Sequence, residues 1–263
     1  RQALAMIEKS GLGVVKQAVD VTRLTGRSLI MAQLTEEQLA ALAALDTPTV
    51  CNALEIVAPE RRGFGYTTKP LVSSGPELPP IVGYARTARI RAKTPPQRDV
   101  AVMKQQRLEY YRYIDEGPKP SVTIIEDLDE PAGFGAFWGE VQSNIHKGLG
   151  CLGVVTSGSV RDIPDCAAGF QMIAGSFGPS HAWVHLVDFD TEVSVHGMDV
   201  APNDIVHADQ HGAVVIPFAV AKEVPVAAAM IARKEAVTIG AAQEPGFNFG
   251  RLKQAMGDAE DVH

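Results

Sequence analysis

The sequence predicts a single α/β domain, a mixed sheet with partial barrel-like closure and flanking helices. Three observations carry this. Helical and strand periodicities mix along the chain from Leu34 onward. Short β-rich runs crowd the interval between Gln171 and Ile216. No internal repeat or low-complexity linker divides the 263 residues, a length that suits one large domain or two small ones.

Residues 1–33 are moderately apolar, have no counterpart in the rest of the pattern, and read as an added arm suited to packing on a neighbouring subunit. Thr35-Glu36-Glu37-Gln38 is a capping box, and the helix it opens carries Leu39, Leu42 and Leu45. Thr47 as N-cap and Pro48 at the first helical position open a second helix with an apolar face of Val50, Ala53, Leu54 and Val57. Residues 61–80 are rich in Gly, Pro, Ser and Thr and read as loop with one short strand. Residues 81–91 alternate as a strand, 97–115 form a polar helix bearing tyrosines, and 121–126 a β-branched strand. A helix over 139–147 and a short buried strand over 153–156 come next. Strands are expected over 171–174, 183–187, 192–195, 204–208 and 213–216. A helix over 219–236 contains Pro225, which is expected to kink or break it. The polar tail after Pro245 is expected to fray or to dock elsewhere. These readings divide the chain into an arm (1–33), an α/β domain (34–240) and a tail (241–263).

Bulk properties exclude several classes. The net charge of -7 and the scattered basic residues argue against a nucleic-acid binder, which needs a basic face. No apolar run approaches the roughly 18 residues of a membrane span, and the first ten residues lack a secretion-signal pattern. Cys51, Cys151 and Cys166 are widely spaced and odd in number, which fits small apolar thiols in a reducing compartment. A cytoplasmic location is the expectation. Gly63-Phe64-Gly65 and Gly133-Phe134-Gly135 are isolated turns without the GxGxxG continuation, so no Rossmann dinucleotide site is expected. His181 and His185, like His207 and His211, are four apart. Their segments read as strand or turn, and plain packed or hydrogen-bonded histidines are the preferred reading over zinc ligands.

The segment richest in chemistry starts at Gly139-Glu140-Val141-Gln142 and resumes at Gly153-Val154-Val155-Thr156-Ser157-Gly158-Ser159-Val160-Arg161-Asp162-Ile163-Pro164-Asp165. A strand runs into a glycine turn and delivers Arg161 and Asp162 side by side. Ligands of α/β folds sit beyond the carboxyl ends of strands. A guanidinium fork matches a substrate carboxylate, and a carboxylate offers hard oxygens to a magnesium-like cation. The N-terminus of the 139–147 helix offers free N–H groups to an anion. On spacing alone a plainer reading comes first: Asp162 caps a helix, Pro164 lies in its first turn, and Asp165 favours its dipole.

The order of motifs changes that ranking. Thr49-Val50-Cys51-Asn52-Ala53-Leu54, Gly83-Tyr84-Ala85-Arg86-Thr87, Gly139-Glu140, the Arg-Asp-x-x-Asp element at Arg161, Gly197-Met198-Asp199-Val200-Ala201-Pro202-Asn203-Asp204 and Ala208-Asp209-Gln210-His211-Gly212 occur in one series. Together they resemble the RraA-like family from about Leu34 to Ala236. That family includes 4-hydroxy-4-methyl-2-oxoglutarate/4-carboxy-4-hydroxy-2-oxoadipate aldolases and regulators of ribonuclease E. The resemblance implies a swivelling β/β/α domain that assembles as a homotrimer or homohexamer with sites between subunits. It implies a lyase that cleaves a 4-hydroxy-2-keto di- or tricarboxylic acid to pyruvate, with oxaloacetate decarboxylation by the same chemistry. Asp162 would hold Mg2+ or Mn2+, Arg161 would bind substrate, and the turn of Gly139, Glu140, Val141 and Gln142 would grip the keto-acid end. Glu140 would orient a proton-carrying water. A ribonuclease E regulator without catalysis and a metal-dependent hydro-lyase on a sugar acid are the alternatives. The chain departs from the pattern in four places, one of them the extra arm of residues 1–33. Ser157-Gly158 stands where the family often has Asp-Gly, and Pro202-Asn203-Asp204 where it often has Pro-Gly-Asp. Residues 91–119 are longer than the usual connection, and Tyr110, Tyr111 and Tyr113 there are suited to walling the pocket or covering an interface.

Overall fold

The computed structural model describes residues 33–262, so the expected arm lies outside the described residues except for Gln33. The described elements, in order, are α1 (Glu36–Ala43), α2 (Thr47–Val57), β1 (Val72–Ser73), β2 (Ile81–Arg91), α3 (Val100–Glu116), β3 (Ser121–Asp127), β4 (Ala136–Trp138), α4 (Glu140–Gly148), β5 (Cys151–Val160), β6 (Gln171–Phe177), β7 (His185–Phe189), β8 (Val193–Val195), β9 (Met198–Val200), β10 (Ile205–Asp209), β11 (Gly212–Ile216), α5 (Val224–Gln243) and α6 (Phe249–Glu260). The fold is the expected mixed α/β class, with a curled half-barrel sheet and flanking helices.

The main sheet has the order β1-β6-β5-β3-β2-β10-β11, with β4 on β5 and β7 on β2. Its centre is parallel, β2 with β3, β3 with β5, and β5 with β4 and β6. β1, β7, β10 and β11 join antiparallel. β8 and β9 form a separate hairpin.

Both faces of this sheet are buried, which explains the near-continuous apolar runs of its strands. Side chains alternate along a strand, and β2 divides accordingly. Val82 and Tyr84 pack with the buried faces of α1, α2 and α5. On the same face, farther along, Ala88 and Ile90 join Tyr110 and Ile114 of α3 and Trp138. Ile81 and Ala85 face the other way, into a cluster with Val193, Val195, Met198 and Val200 of the hairpin.

Local signals explain most boundaries. Thr35 and Gln38 form the reciprocal capping box. The second helix starts one residue earlier than expected: Asp46, not Thr47, caps it by accepting from Thr49 N–H at 2.8 Å. The Thr47 hydroxyl is instead 3.0 Å from His207 Nδ1. Pro225 lies in the first turn of α5, where a missing N–H costs nothing, so it neither kinks nor breaks the helix. The tail does not fray: α5 continues to Gln243, past the expected boundary at 240, and α6 is capped by Asn248. β5 is ten residues rather than four, β7 starts at His185 rather than Trp183, and β4 and β9 are additions to the expected strands. Asn203 sits at φ 70°, so it takes the left-handed turn that a glycine would otherwise fill. Among the described residues no single helix is long and apolar enough to cross a membrane.

Candidate active site

β4 and β5 are parallel neighbours, and Trp138 at the end of one lies opposite Val160 at the end of the other. The residues just past the two strands therefore meet at one place. Gly139 succeeds β4 as the N-cap of α4, while Arg161 and Asp162 succeed β5. A backbone bond from Arg161 N–H to Trp138 C=O, 3.0 Å long, ties the two ends together.

The carboxylate of Asp162 rests against the start of α4. A Cβ placed on Gly139 would lie 2.5 Å from Asp162 Oδ2 and 3.2 Å from Arg161 Cγ. No side chain caps α4, so its first N–H groups, on Glu140, Val141 and Gln142, lack intrahelical partners. The positive end of the helix thus faces the same corner as the carboxylate and the guanidinium. Arg161 Nε lies 3.5 Å from Asp162 Oδ2, with 36% of each side chain exposed.

The helix-start reading of Asp162 holds for its backbone and fails for its side chain. Asp162 precedes the 3-10 turn Ile163–Asp165, but its carboxylate makes no capping bond. Its carbonyl does the structural work, accepting from Asp165 N–H at 3.0 Å and from the Cys166 thiol at 3.1 Å. The residue is held at φ 55°, a conformation tolerated by Asp at some cost and concentrated at functional sites. The carboxylate is left facing solvent and Arg161.

These groups lie along an open cavity of about 840 Å³, and every residue expected at the site from sequence lines it: Glu140, Val141 and Gln142 with Gly139, and Arg161 with Asp162. Two further groups of residues share the lining. One is the loop from His181 into β7, which brings His181 and His185 to the cavity. Each hydrogen-bonds a nearby backbone carbonyl through Nδ1, to Ala182 and Trp183 respectively. His207 is buried and bonded to Thr47 and Leu45, and His211 to Asp209, as packed and hydrogen-bonded histidines. The second group comes from the long 91–119 segment: Arg98, and Met103, Lys104 and Arg107 of α3. The sequence marks that segment as unusually long, but not which of its side chains face inward.

The tyrosines of that segment do not wall the pocket. Tyr110 is fully buried, with its hydroxyl 2.8 Å from His146 Nε2, and the Tyr111 hydroxyl donates to Gln142 Oε1 at 3.1 Å. Tyr113 lies under Arg86, whose guanidinium is 3.4 Å from the ring centroid. His146 Nδ1 is 2.8 Å from Gln142 C=O, so Nδ1 donates and Nε2 accepts from Tyr110. Burial pushes the His146 imidazolium down to about 4, keeping the ring neutral. Trp138, fully buried and 4.4 Å from the His146 ring, is a packing anchor.

The donor set can be tested against a cation. Among the described residues no cluster of three His, Cys, Asp or Glu side chains is placed to hold a metal. A tetrahedral zinc site does not fit. A magnesium-class ion retains waters and needs only one or two carboxylates, and Asp162 and Glu140 are the carboxylates that line the cavity.

Comparison with known proteins gives the family. A family model described as RraA-like, Aldolase/RraA, matches residues 47–215, and the chain belongs to the RraA-like family. Protein DlpA of Legionella pneumophila is 28% identical over 113 residues, 40% of this chain and 17% of DlpA, so the chain spans under a fifth of that relative. An uncharacterized protein from Pseudomonas syringae has a TM-score of 0.63 at 22% identity, over 85% of this chain and 98% of that one. Streptomyces coelicolor RraAS2, described as an unusual member of the RNase ES inhibitor RraA family, has a TM-score of 0.61 at 22% identity, covering 78% and 96%. At these identities the two structures show a shared fold.

Proposed function

We propose that this protein is a divalent-metal-dependent lyase that cleaves a 4-hydroxy-2-keto acid to release pyruvate. The observation that carries the reading is the meeting of Asp162, Arg161 and the uncapped start of α4 at one corner of one cavity. Asp162 would hold Mg2+ or Mn2+, which supplies Lewis-acid polarisation of a keto group. The N–H groups of Glu140, Val141 and Gln142 bind the substrate's keto-acid carboxylate in the positive field of the helix. Arg161 neutralises charge that develops on the enolate oxygen as the carbon–carbon bond breaks. Glu140 orients the water that takes the proton from the distal hydroxyl. The same residues serve decarboxylation of oxaloacetate, in which the lost group is carbon dioxide.

The exposed apolar side chains Val226, Ile239, Phe249 and Met256 on α5 and α6 support assembly as a homotrimer or homohexamer. The test of the activity is pyruvate release from 4-hydroxy-4-methyl-2-oxoglutarate and from oxaloacetate, with and without added Mg2+. The expected outcome is metal-dependent release that Asp162→Ala abolishes. Turnover that survives chelator or that substitution overturns the reading. Absence of turnover on a keto-acid panel, together with capture of ribonuclease E, favours a binding regulator instead.

A further inference from the structure

One stripe of side chains runs the length of α3, and it changes chemistry half-way. Val100, Met103, Lys104 and Arg107 are spaced three and four apart, and so are the residues that continue the series, Tyr110, Tyr111 and Ile114. The second half is the anchor. Tyr110 and Ile114 are fully buried, and Tyr110 and Tyr111 bond to His146 and Gln142 of α4. The first half lines the cavity, with Met103 half-buried and Val100, Lys104 and Arg107 exposed along its wall. Arg98, just ahead of the helix, lines the cavity too. It is pinned by bonds of 3.1 Å to Gln106 Oε1 and 3.2 Å to Val187 C=O of β7. None of these three cations is paired with a carboxylate among the described residues. A cavity lined by four cations and two carboxylates (Arg98, Lys104, Arg107 and Arg161 against Glu140 and Asp162) stands out in a chain of net charge -7.

We propose that Arg98, Lys104 and Arg107 form a second anion subsite, which binds the distal carboxylate of a substrate whose keto-acid end is held at Arg161 and α4. This inference rests on the lyase reading and makes the long 91–119 segment the part that selects substrate. A keto acid with one carboxylate occupies only the α4 end. A keto diacid reaches both ends and gains charge-assisted hydrogen bonds from the planar forks of Arg98 and Arg107. Because Lys104 and Arg107 are exposed and make no fold contact with an acidic group, their replacement leaves the buried half of α3 in place.

The experiment is calorimetric binding, in Mg2+, of 2-oxoglutarate and of pyruvate to the full chain and to the Lys104→Ala/Arg107→Ala and Arg107→Glu variants. The affinity for 2-oxoglutarate is expected to fall about tenfold in the double variant and further in Arg107→Glu, while that for pyruvate changes less than about twofold. The dependence of 2-oxoglutarate affinity on salt is expected to weaken in the same variants. Equal losses for both ligands, an unchanged 2-oxoglutarate affinity, or no binding of 2-oxoglutarate by the unaltered chain overturns the subsite. Catalysis is read separately. A chain that binds 2-oxoglutarate through these residues, yet releases no pyruvate from any hydroxy-keto acid, keeps the subsite and loses the lyase assignment.

Discussion

Gly139 and Asp162 belong to different strands' ends, yet the absence of one side chain is what lets the other reach the helix. The φ of Gly139 is -175°, so any residue could adopt its backbone; space is the constraint. Gly139→Ala puts a methyl group 2.5 Å from the Asp162 oxygen, and the carboxylate must move. Displacements of about an ångström at a reacting centre cost on the order of 100-fold in rate. We expect that loss in kcat, with a change in urea stability below about 1 kcal/mol. A variant with normal kcat would mean that Asp162 does not act where it now rests. The pair of Arg161 and Asp162 is legible in the sequence through its place in an ordered motif series. Its closeness to Gly139 is not, because that depends on parallel pairing of β4 with β5, and β4 is only three residues long. Nor does spacing reveal that Asp162 adopts a left-handed backbone, which frees its carboxylate from capping.

At the scale of elements, α3 and α4 are joined by buried polar bonds that the fold must protect. Tyr110→Phe leaves His146 Nε2 buried without a donor, at a cost of about 1–3 kcal/mol in unfolding free energy by urea. A loss below about 0.5 kcal/mol would place a bound water in the hydroxyl's role. The neutral state of His146 also makes stability depend on pH. Its folded value, about 4, lies below the unfolded value near 6.5. Between those values the unfolded chain binds the extra proton, so stability is full above about pH 6.5 and declines as pH falls toward 4. Burial lowers the His207 imidazolium as well, so both groups act in the same direction. From pH 7 to pH 5 the unfolding free energy should drop by about 2 kcal/mol; a flat profile would show that His146 is not buried neutral. Helices with caps or a leading proline, such as α1 and α2, are legible because their signals are local. The length of β5 is not. Ser157, Gly158 and Ser159 break the β-rich pattern; the register with β6 shifts between Thr156 and Ser159, and Ser159 is kept in the sheet by pairing with Ser176 of β6 and Ala136 of β4. The tyrosines of α3 stand out in the sequence, but periodicity does not say which turns of one stripe are covered by a neighbouring helix and which face a cavity.

For the whole molecule, the sheet buries both faces against three apolar clusters, one of which backs the Arg161-Asp162 corner through Trp138, Val160 and Ile163. The fold is therefore expected to stand without a bound cation. Chelation is expected to abolish turnover while lowering Tm by less than about 2 °C, in contrast to the collapse of a domain built on a structural metal. Unfolding on chelation, recorded by scanning calorimetry, would require a structural metal instead. Sedimentation of the full chain is expected to give a trimer or hexamer, with α5 and α6 supplying apolar contact surface; a monomer at micromolar concentration would remove the assembly from the proposal.

The half-and-half construction of α3 has an evolutionary consequence. Its anchoring turns answer to the core, while its cavity-facing turns answer only to whatever enters the cavity, so the two are free to drift separately. Val100, Met103, Lys104 and Arg107 amount to an interchangeable cassette on a fixed mount. A library randomised at those four positions should retain folded protein in most of its members, and their preferences among keto acids should differ, without a change to the residues that carry out bond cleavage.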